Sequence, residues 1–273
     1  MTTTIRHALV AGALAALLVT AACGSDDSAT TTTTTGETGV AAPAGLVAAD
    51  MLSVCSDTPY EPFEFRNDEG VDTGYDMDLL RAIADSADLG LDVIDLPFDG
   101  ILGSLEAGDC DVVASAVTIT DERAQQVDFT DSYFDADQSL LIKADRAEEI
   151  GALADLSGAT IGVQSGTTGE TYANENDPGA TIKSFEDSDG LFAALEAGDI
   201  AAILQDLPVN AYRATQDTSV SVVETYPTGE SYGFAVRKGN TEVLAFLNDG
   251  LAALRDNGTF DQIYTTYFAT SGG

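Results

Sequence analysis

The sequence predicts an α/β protein of two similar lobes, each a mainly parallel sheet with flanking helices. Three observations carry that expectation. Asp99–Asp109 (D-G-I-L-G-S-L-E-A-G-D) is echoed ninety residues later by Asp189–Asp199 (D-G-L-F-A-A-L-E-A-G-D), each copy reading as a short helix ended by glycine and followed by an apolar strand. Short apolar runs alternate with helical periodicity on either side of both copies, the pattern of parallel strands covered by helices. Asp50–Gly273 is also long enough to bury two cores.

The chain start stands outside that fold. Arg6 supplies a positive charge, Ala8–Val19 is an apolar run too short to span a bilayer, and small residues lead to Cys23. Residues 1–22 therefore read as a signal peptide. Cys23 after Ala21-Ala22 resembles a bacterial lipoprotein cleavage box, with that cysteine lipidated. Thr20 departs from the leucine usual there, and plain secretion is the alternative. Residues 23–49, with six threonines at Thr30–Thr35 and few large apolar side chains, read as a disordered tether.

Within the folded part, Met51–Cys55 is a strand and Ser56–Phe65 a proline-broken loop. Gly74–Ala87 is a helix: Leu79, Leu80, Ile83 and Ala87 share a face, and Asp76 and Asp78 lie in the first turn, where the helix dipole favours acids. Leu91–Ile94 is a strand, followed by the first repeat helix and the strand Asp111–Ser115. The second lobe repeats the scheme: strand Thr160–Val163, a Gln164–Gly169 turn into a helix near Glu170, strand Thr181–Phe185, the second repeat helix and strand Ile200–Leu204. Tyr232–Val236 reads as a returning strand, and Glu242–Asn257 and Phe260–Tyr267 as closing helices. Lobe 1 is thus expected at 50–138 plus 233–273 and lobe 2 at 139–232.

Composition excludes much. The net charge is −35, spread along the chain, which disfavours nucleic acid. The only histidine, His7, lies in the leader, so Ser-His and Cys-His catalysis is excluded and a transition-metal centre is not expected. No glycine-rich phosphate loop occurs, and neither cofactor nor metal is expected. Cys55 and Cys110 sit at the edges of lobe 1 strands. They form either a disulfide, which an extracytoplasmic address permits, or two buried thiols.

Ligands of open α/β sheets bind at the carboxyl ends of strands. One such end runs Ser115-Ala116-Val117-Thr118-Ile119-Thr120-Asp121-Glu122-Arg123. Arg123 suits a carboxylate, with Thr118 beside it; alternatively Arg123 pairs with Asp121 or Glu122 and Thr120 caps a helix. Another ends at Asp206, which can receive an ammonium group or cap the helix beginning at Leu207-Pro208. The Gly166-Thr167-Thr168-Gly169 turn offers amides to an anion, or is an ordinary cap. Tyr60 and Phe98 supply apolar walls, with core packing the alternative for Phe98, and Asp57 faces the distal end of a ligand. A cation on one lobe and an anion on the other complement an α-amino acid zwitterion.

Gly74-Tyr75-Asp76-Met77-Asp78-Leu79 with Ile83-Ala84 and Ala87, the Ser115–Arg123 run, Asp128-Phe129-Thr130, Tyr133 and Asp57–Phe63 together resemble the solute-binding proteins of polar amino acid ABC transporters, family 3. The resemblance spans about Met51–Phe268 and implies a type II periplasmic-binding-protein-like fold, with the chain crossing between lobes near Ser139–Ala144 and Glu230–Ala235. It implies that Arg123 holds the ligand carboxylate, aided by Thr118 and Thr168, that Asp206 holds the α-amino group, and that Tyr60 and Phe98 sandwich the ligand. Asp57 then contacts a cationic or amide side chain, and Ala116 replaces a serine or glycine. Gln164 stands where some relatives have lysine. The expected ligand set is Asp57, Tyr60, Phe98, Ser115, Ala116, Thr118, Arg123, Gln164, Thr167, Thr168 and Asp206. The expected protein is a monomeric, non-enzymatic lipoprotein held to the membrane by its lipid. It captures a polar or cationic amino acid by hinge closure and delivers it to an ABC transporter permease. The alternatives are a cyclohexadienyl dehydratase-like enzyme using Glu64 or Glu230, and an amino acid sensor without a permease.

Overall fold

Alternating burial along short apolar strands sorts the chain into two five-stranded sheets, each covered on both faces. The structure is a computed structural model describing residues 41–269. The expected signal peptide, Cys23 and the threonine run lie outside those residues. In chain order the elements are β1 (Met51–Ser56), β2 (Phe65–Arg66), β3 (Asp72–Thr73), α1 (Tyr75–Asp85), β4 (Gly90–Asp95), α2 (Gly103–Ala107), β5 (Val112–Val113), α3 (Arg123–Gln126), β6 (Val127–Phe129) and β7 (Phe134–Lys143). They continue with β8 (Thr160–Gln164), α4 (Thr168–Glu175), β9 (Thr181–Phe185), α5 (Ser188–Ala197), β10 (Ala202–Asp206), α6 (Leu207–Gln216), β11 (Val220–Tyr232), β12 (Ala235–Arg237), α7 (Thr241–Asp256) and α8 (Thr259–Phe268).

The first sheet has the order β4-β1-β5-β12-β6 and the second β11-β7-β10-β8-β9. In lobe 1, Leu52, Val54, Val112 and Val236 pack under α1 and α7, while Cys55, Val113 and Ala235 pack on the opposite face with Leu105 of α2. In lobe 2, Leu140, Ile142, Ile161 and Leu204 face one core and Leu141 and Ile203 the other. The period of two along these strands is what fills both faces.

The expectation of mainly parallel sheets is met only in part. β4-β1-β5 and β10-β8-β9 run parallel, whereas β12 is antiparallel to β5 and β6, and β7 is antiparallel to β10 and β11. The antiparallel strands are those that carry the chain from lobe to lobe. The chain leaves the first sheet after Phe129 and enters the second at Phe134, and Gln138 and Ser139 already pair with Asp206 and Gln205. The first crossing thus precedes the expected 139–144 stretch, whose apolar run Leu140–Ile142 is a buried central strand instead of a connection. The second crossing falls between Tyr232 and Ala235, inside the expected stretch.

Two further boundaries shift. Residues 41–49, read as the end of the tether, lie on lobe 1: Val47 N donates to Asp111 Oδ1 at 2.8 Å, Ala44 N to Glu242 Oε2 at 3.1 Å, and Leu46 packs on the core. The first repeat helix is shorter than its echo. Asp187 caps α5 through Gly190 N, and no side chain caps α2. Both copies nonetheless end alike. Gly108 and Gly198 take left-handed conformations (φ 80° and 83°), and the following amides of Asp109 and Asp199 close onto Ser104 O and Ala194 O.

Cys55, on β1, is disulfide-bonded to Cys110, just before β5, with Cα atoms 5.8 Å apart. The parallel pairing of β1 with β5 brings them together. The bond closes a loop across 55 positions, for which chain entropy gives about 4 kcal/mol. The Cys55→Ser/Cys110→Ser double variant is therefore expected to unfold in urea with about 2–4 kcal/mol less stability. An unchanged urea midpoint contradicts that expectation.

Candidate functional site

The carboxyl ends of five strands converge between the lobes. β1 delivers Asp57 and Tyr60, β4 delivers Phe98, and β5 delivers Ser115, Ala116, Thr118 and Arg123. From the second lobe, β8 delivers Gln164, Thr167 and Thr168, and β10 ends at Asp206. These eleven residues line one cavity, drawn in to about 10 Å³, room for roughly one water. Lys143, Lys183 and Arg213 do not line it; Lys183 lies over Phe185, and Arg213 pairs with Asp217.

Arg123 serves both the local and the site reading. Thr120 Oγ1 accepts from Arg123 N at 3.1 Å, so Thr120 does cap α3. The guanidinium turns to the cavity: it donates to Thr118 O at 2.8 Å and, across the cleft, to Gly166 O at 3.0 Å, and lies over the Phe98 ring at 5.2 Å. The ion pairs among the described residues involve Arg66, Arg146, Arg213 and Lys238, and Arg123 has neither Asp121 nor Glu122 as a partner. Phe98 likewise packs against the Cys55 cluster while lining the cavity.

Asp206 precedes α6, with Pro208 in the helix's first turn, but its carboxylate makes no cap. It accepts from Gln138 Nε2 at 2.5 Å, Tyr60 Oη at 3.1 Å and Tyr232 Oη. Burial pushes its pKa up to about 6, against the pull of these donors, with Glu230 adding to the rise. The phenols of Tyr60 and Tyr232 are themselves raised well above their usual value by burial and by Asp206, so they stay protonated donors. Tyr60 is held in place by its own turn, donating N–H to Glu64 O at 2.7 Å.

Asp57 receives Gln164 Nε2 at 2.5 Å, another bond between lobes, and burial lifts its pKa to about 6. A further such bond joins Ser165 Oγ to Asp99 at 3.1 Å. The Gly166–Gly169 turn is an ordinary cap in part: Thr167 Oγ1 accepts from Glu170 N, and Gly166 N donates to Glu170 Oε2. Of the turn's own amides, Gly166 N is thus occupied, while Thr167 and Thr168 line the cavity.

Beneath the β5 end lies a layer that sequence reasoning did not place in the ligand set. Gly74 (φ 119°) presses against Phe63, whose carbonyl oxygen would sit 2.2 Å from any Cβ there; only glycine fits. That approach brings Glu64 and Asp76 under the site. Ser115 Oγ donates to Glu64 Oε1 at 2.9 Å and accepts from Asp57 N at 3.1 Å. Asp76 Oδ2 accepts from Ala116 N at 3.0 Å and Tyr133 Oη at 2.7 Å, holding Ala116 at its positive φ of 45°. Among the described residues, Glu64 Oε2 and Asp76 Oδ1 have no hydrogen-bond partner. Burial raises Asp76 to about 7, and burial together with Asp76 raises Glu64 well above the usual range. Gln138 and Tyr232 also escaped assignment to the site, and Glu230 was named only for the dehydratase alternative. The one signal for Gln138 was its place in a polar pair, Gln138-Ser139, just before the apolar run Leu140–Ile142.

The sequence model of the bacterial extracellular solute-binding proteins, family 3, matches residues 52–270. The chain belongs to that family. It is similar to a probable histidine-binding protein of Neisseria gonorrhoeae, 33% identical over 239 residues, covering 85% of this chain and 88% of the relative. Its fold matches an ancestral arginine-binding protein bound to arginine (36% identity, TM-score 0.76, 80% of this chain and 98% of that one). It equally matches the ancestral amino acid-binding protein AncCDT-1, a precursor of cyclohexadienyl dehydratase (38% identity, TM-score 0.76, 80% and 96%). The fold is accordingly that of the type II periplasmic binding proteins, and this family 3 member is a solute-binding protein, not an enzyme.

Asp76 sets a pH dependence. Its folded pKa of about 7 exceeds the ordinary 3.8, so the proton it holds stabilises the fold fully below pH 4, and that contribution is lost as pH rises through 7. Asp76→Asn keeps an oxygen for Ala116 and Tyr133. It is expected to flatten the fall in melting temperature between pH 4 and 8 and to raise the value at pH 8 by a few degrees. An unchanged slope counts against this assignment.

Proposed function

We propose that this chain is an extracytoplasmic lipoprotein that captures an amino acid with a cationic or polar side chain and delivers it to an ABC transporter permease. The observation that carries this reading is the placement of Arg123 and Asp206, opposite charges on opposite lobes facing one small cavity. Arg123 and the hydroxyls of Thr118 and Thr168 take the ligand carboxylate. Asp206, held by Tyr60, Tyr232 and Gln138, takes the α-ammonium group, with the Ala116 carbonyl beside it. Tyr60 and Phe98 cover the side chain, and Asp57 with Gln164 meets its far end.

The charge balance argues for a cationic side chain. Arg123 is the only basic residue among the eleven that line the cavity, and it faces both Asp57 and Asp206. An acidic side chain would add a buried charge with no partner. The similar proteins named for histidine and arginine fit this reading. So does AncCDT-1, since the likeness is to a protein described as amino acid-binding. A ligand held by both lobes binds the closed arrangement better than an open one, and so shifts the population toward closure. The leader and Cys23 support lipid anchoring at the membrane, where a permease is within reach of the tether.

A thermal-shift screen of the twenty amino acids, followed by calorimetry, tests the proposal. Arg123→Ala is expected to weaken the best ligand roughly 100-fold or more, through two charge-assisted hydrogen bonds of about 1.5–3 kcal/mol each. Unchanged affinity in a folded Arg123→Ala variant refutes the assignment, and turnover of prephenate or arogenate would favour the dehydratase alternative.

A further inference from the structure

Glu230 lies near the end of β11, beside the second crossing, and its carboxylate is held from both lobes. Thr118 of lobe 1 donates to Oε2 at 3.0 Å and Thr168 of lobe 2 at 2.6 Å. Gln138 Nε2 is 3.3 Å from each carboxylate oxygen, and the two threonine hydroxyls are 3.5 Å apart. Each hydroxyl has a single proton to donate. With both protons directed at Glu230, neither threonine can donate to a second anion. A ligand carboxylate brought to the same hydroxyls would also meet a like charge at close range, which disfavours both ions.

We propose that Glu230 is an affinity- and specificity-setting residue. Its carboxylate ties the two lobes through the same hydroxyls that a ligand carboxylate requires, so capture is an exchange of one carboxylate for another. The proposal rests on the assignment of Arg123, Thr118 and Thr168 to the ligand carboxylate. Glu230 has somewhere to go: it borders two open grooves, one beside Gly166 and Thr228, the other beside Leu207 and Tyr264. A displaced side chain can turn toward water there, at little desolvation cost. The exchange makes the site demanding. A ligand without a carboxylate cannot take over the hydroxyls, and a weak carboxylate contact cannot repay their loss.

The test uses the full chain as wild type, Glu230→Gln and Glu230→Ala, with L-arginine and agmatine, which lacks the carboxylate, as calorimetric probes. Both variants are expected to bind L-arginine about tenfold more tightly than wild type, with no gain for agmatine. Unchanged or weaker arginine binding, or an equal gain for both probes, overturns the proposal. If neither wild type nor variants respond to any of the twenty amino acids, the functional reading fails, and small-angle scattering of the ligand-free proteins still decides the tie between lobes. Glu230→Ala is then expected to show a larger radius of gyration than wild type, and an identical radius overturns the tie.

Discussion

One guanidinium shares the cleft with several carboxylates, and the site is organised around that imbalance. Arg123 offers the sole positive charge among the cavity residues, while Asp57 and Asp206 share the cavity and Glu230 borders it. Each acid is supported by donors: Gln164 on Asp57, Gln138 and two phenols on Asp206, two threonines on Glu230. Burial pushes Asp57 and Asp206 toward their neutral forms, and their donors pull the other way. The donors keep the acids usable as acceptors, at pKa values lifted to about 6 for Asp57 and Asp206.

Strand geometry explains how so many charges meet. Both sheets point their carboxyl ends at the same space, so loops that are distant in sequence become neighbours. The two crossing strands do more than connect. β7 contributes Gln138 and β11 contributes Tyr232 and Glu230, which places polar groups at the seam where the lobes move relative to each other in the proposed mechanism. Below the seam, the glycine at position 74 permits a backbone approach that sets Glu64 and Asp76 under Ser115 and Ala116.

Much of this was legible in the sequence, for identifiable reasons. Asp206 closes the apolar strand β10, so its position followed from local pattern, whereas Arg123 opens α3 beyond the end of β5 and rested on the whole Ser115–Arg123 run. The repeat helices were legible because both end in a glycine that takes the left-handed conformation. What escaped depends on tertiary approach. Glu230 lies in a long strand with irregular burial, and only packing brings it to Thr118 and Thr168. The start of β7 at Phe134 was hidden because Asp135 and Asp137 interrupt its apolar pattern, and its apolar run Leu140–Ile142 was read as part of the crossing between lobes. Residues 41–49 were read as tether because they hold few large apolar side chains, yet one leucine and two backbone donors suffice to dock them on an existing surface.

The central claim is that opposite charges on opposite lobes read the two ends of an α-amino acid. Calorimetry of the wild-type protein with L-arginine, L-argininamide and the deaminated acid 5-guanidinopentanoate tests it most directly. The amide removes the charge that Arg123 requires, and the deaminated acid removes the one that Asp206 requires. The account predicts binding of L-arginine and a loss of roughly 100-fold or more for each analogue. Comparable binding of either analogue would contradict it.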